Sequence, residues 1–279
     1  MREVKVSDIV DAVREASIKA CCDLPADVIN ALKKAKETET SPQGVAVLDE
    51  LIENQDIASQ KRLPICQDTG FAVVFVELGR NIVLDGDLYS AINEAIKQGY
   101  KKGCLRKSIV KHPLERINTT DNTPAVIHVE LTDSDKLDIT IAPKGGGSEN
   151  MSAAAMLTPA EGKDGVIKFI VDQVKKAGSN PCPPIILGIG LGGTLEKACL
   201  LSKKALLRNI GSVSNNPIDA ELEEEIFREV NKTGIGPAGL GGNTTALAVH
   251  VESFPCHIAS LPLAVNISCH AARHVKLSL

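Results

Sequence analysis

Cysteine offers this chain its widest chemistry, and three of the eight cysteines stand where a ligand or nucleophile would. Cys66 lies in LPICQDTG, between a loop proline and the start of an apolar run, and two polar residues and a glycine follow it at once. A structural cysteine normally sits within an apolar run instead. Cys182 lies in SNPCPP, where three prolines fix the backbone and remove donors. Cys269 lies in VNISCHAARH after a short apolar stretch, and a core position is its competing reading. Cys21 and Cys22 end a helical pattern, Cys199 lies inside one, and Cys104 precedes a basic run. Cys256, beside His257, is held in reserve as a ligand. No CxxC pair occurs, which weighs against a zinc ribbon or a thioredoxin-type site. Three thiolates from separate loops can instead hold a [4Fe–4S] cluster and leave one iron open as a Lewis acid.

Other residues could serve such a centre. Asp68 directly follows the Cys66 loop and could orient a ligand or move a proton; capping a turn is the alternative. Arg106 stands in KKGCLRKS, either as part of a solvated helix end or as a bidentate grip on a carboxylate. His257 is the best-placed histidine, with a satisfied core residue as the competing account. Glycine-rich turns recur at PKGGGSEN (143–150), EGKDG (161–165), GIGLGGT (188–194) and GIGPAGLGGNTT (234–245). Lys144 before the first and Ser-Glu-Asn after its glycines point to close approach of a ligand. GIGLGG has the G-x-G-x-x-G spacing between a strand pattern and a helix pattern. The acidic residue a dinucleotide site needs about 20 positions on is missing, however. A glycine loop opening a helix is more generally an anion site.

The elements that must position these residues follow from periodicity. Apolar residues at helical spacing predict a helix from Ser7, as its cap, to about Cys21, and others over Ala26–Lys36, Ser41–Asp56 and Leu88–Lys102. Phe71–Leu78 reads as a strand, and Ala125–Leu131 and Leu137–Ile141 as a pair of strands. Further helices are expected at 163–177, 194–208 and 218–231, with strands at 184–189 and 246–251. The fold class is α/β (mixed α+β), with a helical N-terminal part of about 1–60 before a mixed sheet with helices and glycine-rich loops. No linker or repeat divides residues 1–279, so one domain is expected.

Composition narrows the partners. The net charge is −4, there is no Trp, and no basic stripe runs along the chain, so a nucleic-acid partner is disfavoured. No apolar run reaches the roughly 18 residues of a membrane span, and the N-terminus does not read as a secretory signal. A cytoplasmic location is the expectation, with the cysteines reduced.

ICQDTG, PKGGGSEN, NPCPP with GIGLGGT, GIGPAGLGGNTTALAVHV and PCHIASLPLAVNISCHAARH stand in order along the chain from about residue 20. As a set they resemble the class I fumarate hydratases and their tartrate dehydratase relatives. The resemblance implies a [4Fe–4S] cluster on Cys66, Cys182 and Cys269, with Cys256 the neighbouring alternative to the last. The family's histidine, twelve residues before the last cluster cysteine, matches His257. It further implies catalytic roles for Asp68 and His257 and substrate contacts from Gln67, Arg106 and a glycine of the 145–147 turn, taken as Gly146. In that family the proton-abstracting base comes from a C-terminal domain. The chain stops after the last motif, so the resemblance implies an α subunit completed by a separate β subunit in a hetero-oligomer. The implied substrate is a small dicarboxylate. Two other readings stand beside it: an NAD-binding oxidoreductase subunit using GIGLGG, and a non-catalytic scaffold that carries a cluster.

Overall fold

The structure, a computed structural model, describes residues 2–279. In chain order its first elements are β1 (Arg2–Val4), α1 (Val6–Cys22), α2 (Ala26–Thr38), α3 (Pro42–Lys61), β2 (Phe71–Gly79), β3 (Ile82–Leu84), α4 (Leu88–Lys102), β4 (Val126–Thr132) and β5 (Leu137–Lys144). The short helix α5 (Gly146–Glu149), β6 (Ala153–Leu157), α6 (Gly162–Ala177), β7 (Ile185–Gly192), α7 (Leu195–Ala205), α8 (Pro217–Asn231), β8 (Ala246–Phe254), β9 (Leu261–Ser268) and β10 (Val275–Ser278) follow. This is the mixed α/β composition that the sequence patterns predict. No helix among the described residues is long and apolar enough to cross a membrane.

The chain forms two compact units, each built from separated stretches. The first comprises the chain up to Pro25, Gln55–Gly146 and Arg273–Leu279; the second comprises Ala26–Asn54 and Gly147–Ala272. The helical N-terminal part is present, preceded by β1, but α1 belongs to the first unit and α2 to the second.

In the first unit α1 and α4 pack on a sheet of order β10-β5-β2-β4. The apolar stripe of α1 buries Ile9, Val13, Ala16 and Cys21 against Ile92, Ala95 and Ile96 of α4 and the inward side chains of β2 and β5. A fully buried aliphatic side chain of this kind stabilises the fold by about 1.5–3 kcal/mol. Ser7 was expected to cap α1, but the helix starts one residue earlier. Asp85, distant in sequence, accepts the Val6 amide at 2.7 Å. The two strands expected to pair with each other, β4 and β5, do not. β2 lies between them, parallel to β4 and antiparallel to β5. Its nearly continuous apolar run suits a strand covered on both faces, whereas the more exposed β4 takes the edge.

In the second unit the sheet order is β6-β9-β7-β8, with β7 parallel to β8 and antiparallel to β9. Ile185, Leu187 and Ile189 of β7 point to the face covered by α6 and α8. The alternate residues Gly188 and Gly190 face α7, where an added Cβ would come within 2.1 Å of the Ser202 carbonyl oxygen and 1.9 Å of that of Ala198. The GIGLGG segment is therefore the second half of a buried strand, where a glycine loop was expected. Its glycines let a helix lie directly on the sheet.

Candidate active site

The loop from Ile65 to Gly70 in the first unit is the most heavily anchored irregular segment on which a predicted site residue sits. The Ile65 amide donates to the carbonyl of Cys21 at 2.9 Å. Tyr100, buried on α4, donates its hydroxyl to the carbonyls of Thr69 at 3.0 Å and Gly70 at 3.1 Å. Asn122, fully buried, donates to the Gly70 carbonyl at 3.1 Å and accepts from the Ser108 amide at 2.6 Å. Arg273 donates Nη2 to the Asp68 carbonyl at 2.7 Å. Gly70 closes the loop at a φ of +69°, with its α-carbon so near the Lys144 carbonyl that a Cβ would sit 2.3 Å from that oxygen. Only glycine meets both demands.

This anchoring fixes Cys66, Gln67 and Asp68. The half-buried Cys66 thiol donates to Gln67 Oε1 at 3.3 Å. The Asp68 carboxylate accepts the Gly70 amide on Oδ1 at 2.9 Å and the Gly146 amide on Oδ2 at 2.8 Å. Asp68 thus ties the cysteine loop to the PKGGG turn through the Gly146 backbone. Arg106, exposed beyond the end of α4, is attached to the same loop through its carbonyl, which accepts from the Thr69 hydroxyl at 3.1 Å. Four of the five predicted polar and backbone groups, Gln67, Asp68, Arg106 and Gly146, therefore lie on the Cys66 loop or are bonded to it within one unit. The thiol of Cys21 lies in the core behind the loop, and burial pushes its pKa up to about 12. Burial likewise raises the Tyr100 phenol above its ordinary range.

Sequence reasoning missed Tyr100, Asn122 and Arg273. A tyrosine on the apolar face of a helix needs a partner for its hydroxyl, and that signal was available. Arg273, four residues past Cys269, gave none on its own.

In the second unit Cys182 is exposed at a φ of +55°. Its carbonyl accepts from the backbone amide of His270 at 3.5 Å and lies 3.0 Å from His270 Nδ1. The residue after Cys269 is thereby held on the Cys182 loop. Cys256 instead donates its thiol within its own turn, to the Ser260 carbonyl at 3.4 Å. The glycine-rich segment 234–245 braces the Cys182 loop: the Ala238 amide donates to the Pro183 carbonyl at 2.8 Å, and Gly239, at a φ of +77°, abuts Ser179. That segment is itself pinned by Glu39, whose buried carboxylate accepts the amides of Asn243 and Thr244 at 2.9–3.0 Å. Burial pushes the Glu39 carboxyl up, but these amides and that of Ser41 outweigh it and hold the pKa below the ordinary value.

His257 is exposed on the turn after β8, and its Nδ1 accepts the Ala259 amide at 3.2 Å. That acceptor role puts the ring proton of the neutral form on Nε2. The core histidine is His250, whose two ring nitrogens have no hydrogen-bond partner. Burial, then the charge of Arg208, pulls its pKa down to about 4.

The dinucleotide reading of GIGLGG loses its site, because the space its glycines open is filled by α7. The donor set does fit an iron–sulfur cluster. Cys66, Cys182 and Cys269 form no disulfide and lie outside the core, two of them on braced loops and the third just past the end of β9. Among the described residues no three His, Cys, Asp or Glu side chains form a nest for a single metal ion. Thiols spread over separate segments suit a cluster of several irons, three of which would each take one thiolate.

The family model described as Fumarate hydratase (Fumerase) matches residues 10–278. A Methanocaldococcus jannaschii protein provisionally named L(+)-tartrate dehydratase subunit alpha is 43% identical, over 97% of this chain and 96% of its own. The L(+)-tartrate dehydratase subunit alpha of Escherichia coli strain K12 is 34% identical, over 99% of this chain and 92% of its own.

Proposed function

Because the chain belongs to the fumarate hydratase (Fumerase) family, we propose that it is the α subunit of a hydro-lyase that holds a [4Fe–4S] cluster on Cys66, Cys182 and Cys269. Its substrate is a small hydroxydicarboxylate of the malate or tartrate kind, and a separate β subunit completes the active site in a hetero-oligomer. The observation that carries this reading is the Cys66–Asp68 loop. Anchors from four distant segments hold it, yet its thiol, amide and carboxylate stand outside the core. Near-full-length similarity to chains named as α subunits supports the two-subunit form.

When bound, the cluster supplies an open iron that polarises a substrate hydroxyl and carboxylate. The residues of this chain do the rest of its share. Arg106 presents an exposed guanidinium fork suited to a substrate carboxylate. Gln67 extends from the loop beside Cys66 to orient the bound hydroxyacid. Asp68 has one lone-pair direction on each oxygen taken by a backbone amide, so its carboxylate is fixed and retains acceptor capacity for a substrate hydroxyl. His257 handles a proton at Nε2, the ring nitrogen its own turn leaves open.

The test is anaerobic reconstitution of the chain, wild type and with Cys66, Cys182 or Cys269 changed to Ser, followed by turnover of malate and L-tartrate with and without the β subunit. About four irons per wild-type chain, lost in each variant, and activity only in the heteromer are expected. Absence of iron, or an unchanged load in all three variants, would remove the cluster and the cysteine assignment together.

A further inference from the structure

Arg273 is 6% exposed and uses one donor, the Nη2 bond to the Asp68 carbonyl. Its Nε and Nη1 are fully buried and have no hydrogen-bond partner. A guanidinium stays charged at any ordinary pH, and such groups are rarely buried unless an anion faces them. No side-chain anion bonds its Nε or Nη1. The contact to Asp68 is made through its carbonyl, while the carboxylate turns an oxygen to each of the amides of Gly70 and Gly146 and makes no bond to the guanidinium. Cys21 and Tyr100 both feel the Arg273 charge, yet burial keeps the thiol and the phenol protonated and neutral. The remaining acidic group on the clamped loop is Cys66, two residues before the carbonyl that Arg273 grips.

Resting on the cluster reading above, we infer that Arg273 is a positioning residue for the metal-ligating thiolate. One arm fixes the loop at Asp68, and the uncommitted remainder of its charge faces the anion that Cys66 presents when it holds iron. Without the metal two of its buried nitrogens have no partner; with it their charge has a thiolate to face. Arg273 is thus built for the loaded state, and its contribution is to retain the cluster.

The experiment is reconstitution of the full chain with iron and sulfide, comparing wild type, Cys66→Ser, Arg273→Met and Arg273→Lys. Iron-free Arg273→Met is expected to unfold at the wild-type temperature or above it, because an apolar side chain of similar length replaces a buried cation with unmet donors. Its iron content should be several-fold lower than wild type, and a chelator should strip what remains about tenfold faster, as losing one charge-assisted contact would give. Arg273→Lys, which keeps the charge without the planar fork, should fall between the two. Wild-type iron content and chelator resistance in Arg273→Met would overturn the inference. So would an iron-free Arg273→Met that unfolds well below wild type, since that marks a packing role. A wild-type chain that takes up no iron would sink the cluster reading itself, an outcome distinct from either of these.

Discussion

The two cysteine loops with the clearest anchoring are held rigid by opposite means. The Cys66 loop, in the first unit, is fixed by side chains: Tyr100, Asn122 and Arg273 each reach a carbonyl, and Asp68 gathers two amides. The Cys182 loop, in the second, is fixed by backbone. Prolines flank it, the Ala238 amide meets Pro183, and the left-handed Gly239 abuts Ser179. A side-chain network places a thiol among groups that can also do chemistry. A backbone brace offers little chemistry but excludes alternative conformations. The units differ in the same sense in their buried titratable groups. Those of the first, Cys21 and Tyr100, are acids pushed up; His250 of the second is a base pulled down.

The largest expected effect separates the units by pH. The folded-state pKa of His250 is lowered from near 6.5 to about 4, so its share of stability is complete above 6.5 and is lost as pH falls toward 4. The full loss amounts to roughly 3 kcal/mol at 1.36 kcal/mol per unit. Urea midpoints of wild type and His250→Leu, followed from pH 7 to pH 4, should converge as the wild type weakens; parallel curves would mean that His250 is not the acid limit. On the alkaline side the sign reverses. The raised Cys21 thiol gives stability that is complete below its unfolded value and is lost as pH climbs toward 12.

Asn122→Ala comes next, at about 3 kcal/mol, combining a broken buried hydrogen-bond pair with a left-handed backbone that asparagine tolerates and alanine does not. Hydrogen exchange should quicken at the amides of 66–70 and leave those of 179–184 unchanged. Faster exchange in both segments would erase the distinction drawn between them. Gly239→Ala probes the other brace. Its φ of +77° and the nearness of Ser179 predict a loss of about 2 kcal/mol, read as a lowered melting temperature with accelerated exchange confined to the Cys182 loop. The smallest effect is Tyr100→Phe, at about 1 kcal/mol for one bifurcated hydroxyl bond. If it destabilises the chain as much as Asn122→Ala does, the anchors of the Cys66 loop share one load and are not separate.

Periodicity carried most elements, because α1, α2, α4, α6, α8 and β2 each bury one face or one run in a way that a local window records. Three features escaped it because their causes lie far along the chain. The cap of α1 is Asp85, 79 residues from the amide it accepts. The neighbour of β4 is β2, since sheet order depends on which strand is covered on both faces and not on which is adjacent in sequence. The glycines of GIGLGG matched a loop motif, yet their spacing of two, like that of side chains on one face of a strand, also fits a helix resting on a sheet. At the site, Cys66, Gln67 and Asp68 were legible as polar residues grouped between a proline and an apolar run. Arg273 lies 205 residues from Asp68, and only the fold brings the two into contact.

The φ of +55° at Cys182 sets chemistry against thermodynamics at one residue. An L side chain in that conformation costs about 1 kcal/mol that glycine would not. Cys182→Gly should therefore make the iron-free chain harder to unfold while removing the thiol proposed to hold iron. A selection or design scheme that scored thermal resistance alone would favour that substitution, and would arrive at a sturdier protein that lacks one of its three proposed thiol ligands.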